Sequence, residues 1–276
     1  MLKKPYSYYE PEWKRGHSKR DALSLAVFSE LAYEKKWADA QKVLREWDFT
    51  KMSRSSVKKG WDIDTSATIA VNDGILIVAL RGSHSLANWA TNIQIAKDPG
   101  PFNDTNVHQG FQDALYPALL DIAMKAQEMR DNHQQIWITG HSLGGALAVL
   151  LTAMLLERKI EISGLYTFAA PRVGNHKFQV QFDAKMSGKP SYRYVNEHDI
   201  VPQLPPEPMF THTGTRRIIT SKQKVTSSAS KWVRIKKSFV GWYNELTDGD
   251  IQLKEHHSLV SKDGYIPALA KAAGKV

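Results

Sequence analysis

No cysteine occurs among the 276 residues. Its absence excludes disulfides, thiolate metal sites and a cysteine nucleophile, leaves the fold to depend on its apolar core, and is compatible with a reducing compartment. Long charge-free apolar runs are also missing. The start, "MLKKPYSYYEPEWKRGHSKR", has no apolar stretch behind its lysines, and nothing elsewhere supplies the roughly 20 apolar residues of a membrane-spanning helix. The expectation is a soluble protein without a readable export signal, hence cytoplasmic or exported by a signal-independent route. Acidic residues are in deficit: 28 Asp and Glu against 37 Lys and Arg give a net charge of +9. That surplus admits a nucleic acid, an anionic membrane or a merely solvated exterior. The basic residues are scattered apart from a cluster at 231–237, and no nucleic-acid recognition motif accompanies them, so no nucleic-acid partner is expected. No internal repeat is visible, and the length suits one large α/β domain spanning 1–276.

What is present alternates. "DALSLAVFSELAY" (21–33) puts Leu23, Ala26, Val27 and Leu31 at helical spacing, and "ATIAVNDGILIVALRG" (67–82) reads as two strands around an Asn-Asp-Gly turn. "PALLDIAMKAQEMRD" (117–131) predicts a helix with Pro117 in its first turn, and "QIWITG" (135–140) a buried strand. "GALAVLLTAMLLERK" (145–159) is apolar on all sides, as a helix packed inside a domain would be. "LYTFAAP" (165–171) and "SYRYVNEHD" (191–199) follow as strands, and "SKQKVTSSASK" (221–231) as a polar loop. Strands alternating with helices predict a mostly parallel central sheet covered by helices on both faces.

Within this pattern "WITGHSLGGALAVLL" (137–151) places a polar His-Ser pair between glycines at a strand-to-helix junction. Gly140-His141-Ser142-Leu143-Gly144 fits GxSxG, a sharp turn that exposes a serine hydroxyl and needs neighbours without side chains, here Gly140 and Gly144. The competing reading is a plain tight turn; the strand "IWIT" before it and the helix "ALAVLL" after it favour the nucleophile. Ser142 is then the nucleophile, with the backbone N–H of Leu143 at the helix N-terminus facing a developing oxyanion. A serine needs a base and the base an orienting acid, in the order Ser, acid, His for this architecture. Asp199 ends the strand "YRYVNEHD", where such a sheet presents functional groups, whereas Asp183, Asp248, Asp250 and Asp263 sit in polar or helical contexts. The base must follow Asp199, which leaves His212, His256 and His257. A metal site built from these three histidines is the rival chemistry, but adjacent histidines do not easily face one ion and no HExxH is present; neither metal nor organic cofactor is expected.

The segments "LRGSHSLANW" (80–89), "VHQGFQDA" (107–114), "ITGHSLGGALA" (138–148), "TFAAPRVGN" (167–175), "YVNEHDIVPQLPP" (194–206) and "HHSL...GY" (256–265) stand in an order that resembles the class 3 lipases, the family of the filamentous-fungal triacylglycerol lipases, over most of 23–269. The resemblance implies an α/β-hydrolase fold with Ser142 as nucleophile, Asp199 as acid and a C-terminal histidine as base. His257 fits the family pattern best, ahead of His256. It further implies that Ser83, in "LRGS", supplies the second oxyanion amide beside Leu143, and that about 83–95 forms a short lid helix. There Leu86, Trp89, Ala90 and Ile93 recur at helical spacing as a substrate-facing stripe that suits fatty acyl chains; the alternative is a helix packed on the core. His108, in "VHQGF", is read as a packing residue.

The family pattern does not account for "KWVRIKKSFVGWYNEL" (231–246). Its Trp232, Ile235, Phe239, Trp242, Tyr243 and Leu246 share one helical face, interrupted by Lys236, opposite Arg234, Lys237, Ser238 and Glu245. Such a segment suits a lipid droplet or anionic membrane surface, and equally a face packed on the domain or lining an acyl groove. The activity expected is triacylglycerol hydrolysis through an acyl-enzyme, with a lipid or ester substrate as partner. A phospholipase A or feruloyl-type esterase is the alternative on the same scaffold. A catalytically silent membrane-binding module is the alternative outside catalysis, and the intact set Ser83, Ser142, Asp199 and His257 speaks against it.

Overall fold

The computed structural model describes residues 4–59, 63–81, 96–227 and 255–275. Helices α1 (Lys19–Leu31) and α2 (Trp37–Glu46) precede strands β1 (Lys51–Lys59), β2 (Ile63–Val71) and β3 (Ile75–Arg81). A short hairpin of β4 (Lys97–Pro99) and β5 (Asn106–His108) leads into α3 (Gln109–Met129). Then come β6 (Gln135–His141), α4 (Leu143–Glu157), β7 (Gly164–Phe168), α5 (His176–Lys185), β8 (Ser191–Asn196), β9 (Thr215–Ile219), β10 (Val225–Thr226) and α6 (Tyr265–Ala272). The main sheet runs β1-β2-β3-β6-β7-β8-β9-β10. Pairing is parallel from β3 across β6, β7 and β8 to β9, and antiparallel at both margins.

The sheet separates two apolar layers. In β3, Ile75, Ile77 and Ala79 join the residues of α1, α2 and α6, while Leu76, Val78 and Leu80 join those of α3, α4 and α5. A strand covered on both faces has no solvent side to mark with polar residues, which is why it reads as one continuous apolar run. The turn before it is set by Asn72, whose Oδ1 accepts the N–H groups of Gly74 (3.1 Å) and Ile75 (3.0 Å). Among the described residues no helix is long and apolar enough to cross a membrane.

Three expectations need correction. The helix expected to open on Pro117 begins at Gln109, with Pro117 in its interior. Burial of Phe111, Ala114 and Leu115 carries it two turns further toward the N-terminus than the proline suggests, against a penalty of about 3 kcal/mol for an interior proline. The Thr65 hydroxyl donates to the Ala114 carbonyl (2.6 Å) in the turn that Pro117 interrupts. The strand expected to run to Asp199 stops at Asn196. There the Asn196 side chain takes the His198 N–H (3.2 Å) and donates to the Asp263 carbonyl (2.8 Å), turning the chain out of the sheet. Within the expected loop 221–231, Val225–Thr226 pair with Ile219 and Ile218 as a short edge strand.

α1 is anchored at its start. The Ser18 hydroxyl accepts the Asp21 N–H (3.1 Å) as an N-cap, and the buried Asp21 carboxylate accepts the N–H groups of Glu12 (2.6 Å), Trp13 (2.8 Å) and Lys14 (3.0 Å). One side chain thereby fixes the loop ahead of the helix whose far end leads to Tyr33, beside the elbow. Asp21→Ala is expected to lower unfolding free energy by about 3 kcal/mol, because it orphans three donors at once. Urea unfolding measures this, and a variant within about 0.5 kcal/mol of the parent would contradict the account.

Candidate active site

Strand β6 delivers Ser142 at the carboxyl end of the sheet, one residue before α4. The serine sits at φ 59°, ψ −132°, a conformation that costs a non-glycine residue about 1–3 kcal/mol and persists only where the surroundings impose it. They do so through two backbone bonds: Ser142 N–H to the Phe168 carbonyl on β7 (2.9 Å), and Gly145 N–H to the Ser142 carbonyl (2.9 Å). Steric room comes from Gly140, where a Cβ would run into the carbonyl of Gly144, and from Gly145, where it would lie 2.7 Å from the Ala170 methyl. Leu143 is the first residue of α4, so its N–H belongs to the opening turn that lacks intrahelical acceptors.

Asp199 follows β8 and is 1% exposed. A carboxylate buried to that extent must be hydrogen-bonded, and three groups serve it. Its Oδ1 accepts the Val201 N–H (3.0 Å), both oxygens lie 3.0 Å from His257 Nδ1, and the Tyr265 hydroxyl donates to Oδ2 (2.7 Å). Tyr265 also accepts the Asn196 N–H (3.0 Å). Burial, reinforced by the Asp199 charge, pushes the Tyr265 phenol well above its ordinary range, so it remains a donor. Behind the acid, the Arg172 guanidinium binds the carbonyls of Gln203 and Pro205 (the latter at 2.9 Å) and pins the loop that leaves Asp199.

The three candidate histidines separate by their partners. His257 is buried and bonded to Asp199; because Nδ1 faces a carboxylate it carries the proton, which leaves a lone pair on Nε2. His256 turns elsewhere and packs its ring against His198, with centroids 4.8 Å apart. His212 donates from Nε2 to the Pro202 carbonyl (2.7 Å); burial, helped by the nearby cations Arg193 and Arg172, holds its pKa well below the usual imidazole value. Among the described residues the Ser142 hydroxyl has no hydrogen bond to His257; such bonds commonly tighten only as substrate seats. His108 packs its ring on Phe111 at 4.3 Å, in line with a packing role. Among the described residues no three His, Asp or Glu side chains are grouped as metal ligands. Ser83, the lid residues Leu86, Trp89, Ala90 and Ile93 within 83–95, and the stretch 231–246 lie outside the described residues.

Sequence reasoning missed two residues that join this cluster. His141 packs its ring 4.7 Å from that of His257 and contacts the His257 carbonyl through Nε2 (2.7 Å), while Tyr33 reaches His141 Nδ1 from the end of α1 (3.0 Å). The part of Tyr265 was within reach, since the match at 256–265 ends on it; nothing local marks Tyr33.

Residues 77–209 match the family described as lipase (class 3). The chain is 34% identical over 173 residues to a lipase from Rhizomucor miehei, with 59% of this chain and 47% of that one aligned. It is 30% identical over 173 residues to the secreted mono- and diacylglycerol lipase A of Penicillium cyclopium, covering 60% of this chain and 56% of that one. The alignments thus span about half the length of these curated relatives. Among solved structures, the lipase from Rhizopus microsporus var. chinensis superposes with a TM-score of 0.63 at 26% identity, over 73% of this chain and 74% of that one. The central sheet, mostly parallel and covered by helices on both faces, is the α/β-hydrolase fold of these neighbours.

Two histidines with lowered pKa, the buried His141 and the partly buried His212, give a pH signature. His141, depressed by burial and by His257, and His212 stay neutral in the fold, whereas in the unfolded chain both take up protons below about pH 6.5. The unfolded state then binds more protons, so stability is full above pH 6.5 and falls as pH drops below it, by about 1.4 kcal/mol per unit for each histidine. His212→Gln is expected to flatten this slope between pH 6.5 and 5 by about half. Urea midpoints that depend on pH identically in parent and variant would refute the assignment.

Proposed function

We propose that the chain, whose residues 77–209 match the class 3 lipase family, hydrolyses the ester bonds of acylglycerols through an acyl-enzyme. The observation that carries the reading is the buried Asp199–His257 pair beside a serine held at positive φ. In this reading the Ser142 hydroxyl attacks the ester carbonyl as His257 Nε2 takes its proton, and Asp199 stabilises the imidazolium that forms. The oxyanion is met by the N–H of Leu143 and, from the family pattern, that of Ser83; one such donor is worth about 100- to 1000-fold in rate. Collapse expels the alcohol, which receives the proton from His257. Water, deprotonated by the same imidazole, then releases the fatty acid and regenerates Ser142.

The acylglycerol assignment draws on what the relatives are called, a lipase and a mono- and diacylglycerol lipase, and on the apolar spacing of Leu86, Trp89 and Ile93. We read 83–95 as a lid over the site and 231–246 as a contact to lipid droplets or anionic membrane, both within one domain spanning 1–276.

A chain-length series of p-nitrophenyl esters, glycerides and phospholipids, run on the parent and on Ser142→Ala, tests the proposal. Ser142→Ala is expected to lose at least about 1000-fold in kcat. Preference for long emulsified glycerides supports a lipase; preference for phospholipids or feruloyl esters would move the substrate to the alternative on the same scaffold. Unchanged turnover in Ser142→Ala would end the mechanism altogether. Tyr265→Phe, which removes one donor from the Asp199 charge, is expected to lower kcat by about 10-fold with KM little changed; an unaltered kcat would remove Tyr265 from the machinery.

A further inference from the structure

His141 adjoins the nucleophile, is almost wholly buried and takes no part in the proton transfers above. A polar ring in that position is costly unless its nitrogens are used, and both are. Nε2 lies 2.7 Å from the His257 carbonyl, a group that only accepts, so Nε2 carries the hydrogen. Nδ1 is then the lone-pair nitrogen and accepts from the Tyr33 hydroxyl at 3.0 Å. The ring is held neutral chiefly by burial and further by the adjacent His257 ring. Neutrality matters, because a cationic donor at this distance would repel the imidazolium that forms on His257 in each turnover.

The consequence is geometric. Asp199 restrains the His257 imidazole through Nδ1, and any rotation about that contact would swing Nε2 relative to the nucleophile. The second fixed point is the His257 backbone, tied to the residue that immediately precedes Ser142. We propose that His141 is a positioning residue: its Nε2–H bond to the His257 carbonyl sets the separation and direction between the His257 Nε2 and the Ser142 hydroxyl, and Tyr33 selects the tautomer that makes this bond. The inference rests on Ser142 and His257 being nucleophile and base.

Three variants test it: His141→Leu, which removes the donor; His141→Gln, whose amide N–H replaces Nε2–H; and Tyr33→Phe. For each, kcat and KM on soluble p-nitrophenyl butyrate, the rate of covalent labelling of Ser142 by a p-nitrophenyl alkylphosphonate, and the thermal midpoint are measured. His141→Leu is expected to lower kcat and the labelling rate together by about 10- to 100-fold, as a displacement of the order of 1 Å does, with KM within about twofold. His141→Gln is expected to recover most of the loss, and Tyr33→Phe to show a smaller loss of the same kind. Should His141→Leu not fold, Tyr33→Phe and His141→Gln carry the test alone. A folded His141→Leu or Tyr33→Phe labelled at the parent rate overturns the positioning role, as does a His141→Gln no better than His141→Leu. Failure of the parent itself to be labelled at Ser142 brings down the hydrolase reading, and the inference with it; labelling of the parent with unaffected variants brings down the inference alone.

Discussion

A negative charge almost out of reach of solvent organises this end of the molecule. The Asp199 carboxylate is tolerable only because a backbone N–H, an imidazole and a phenol all donate to it. Those donors come from the turn at Val201, from His257 and from the first residue of α6, and the bonds span 58 and 66 residues of sequence in the last two cases. Burying the charge and bringing the segments together are therefore one event. A phenol whose pKa is driven upward is well suited to this, since it cannot ionise and repel the acid it supports.

The elbow is the complementary constraint. A serine at positive φ is held against its preference by β7 on one side and the first turn of α4 on the other, and α4 is itself buried almost throughout. The strain is affordable because the two layers flanking the sheet are closed around it. His141 then links elbow and acid: its ring spans from Tyr33 at the end of α1 to the carbonyl of the residue that Asp199 holds by its side chain.

Much of this was legible in the sequence where the signal is local. The strand read at 135–140 and the helix read at 145–159 correspond to Gln135–His141 and Leu143–Glu157, because an apolar run, a glycine pair and a second apolar run mark them without help from distant residues. Ser142, Asp199 and His257 were picked out by chain order together with a family pattern, and the fold brings Asp199 and His257 into contact. Other features were invisible for the opposite reason. β1, "KMSRSSVKK", has no apolar alternation and is a strand because nine residues find partners on β2. The start of α3 is not written locally, because tertiary burial of Phe111, Ala114 and Leu115 outweighs the local meaning of a proline. Tyr33 and His141 meet across 108 residues, and no periodicity announces a bond of that reach.

Chain order also has meaning in time. A ribosome produces the strained serine and the acid well before the histidine and tyrosine that complete the acid's shell. Until residues 257–265 are threaded against β6 and β8, Asp199 lacks its imidazole and phenol donors, and its charge is better left in water than in the fold. The shell of the acid is therefore completed only by groups that lie 58 and 66 residues further along the chain.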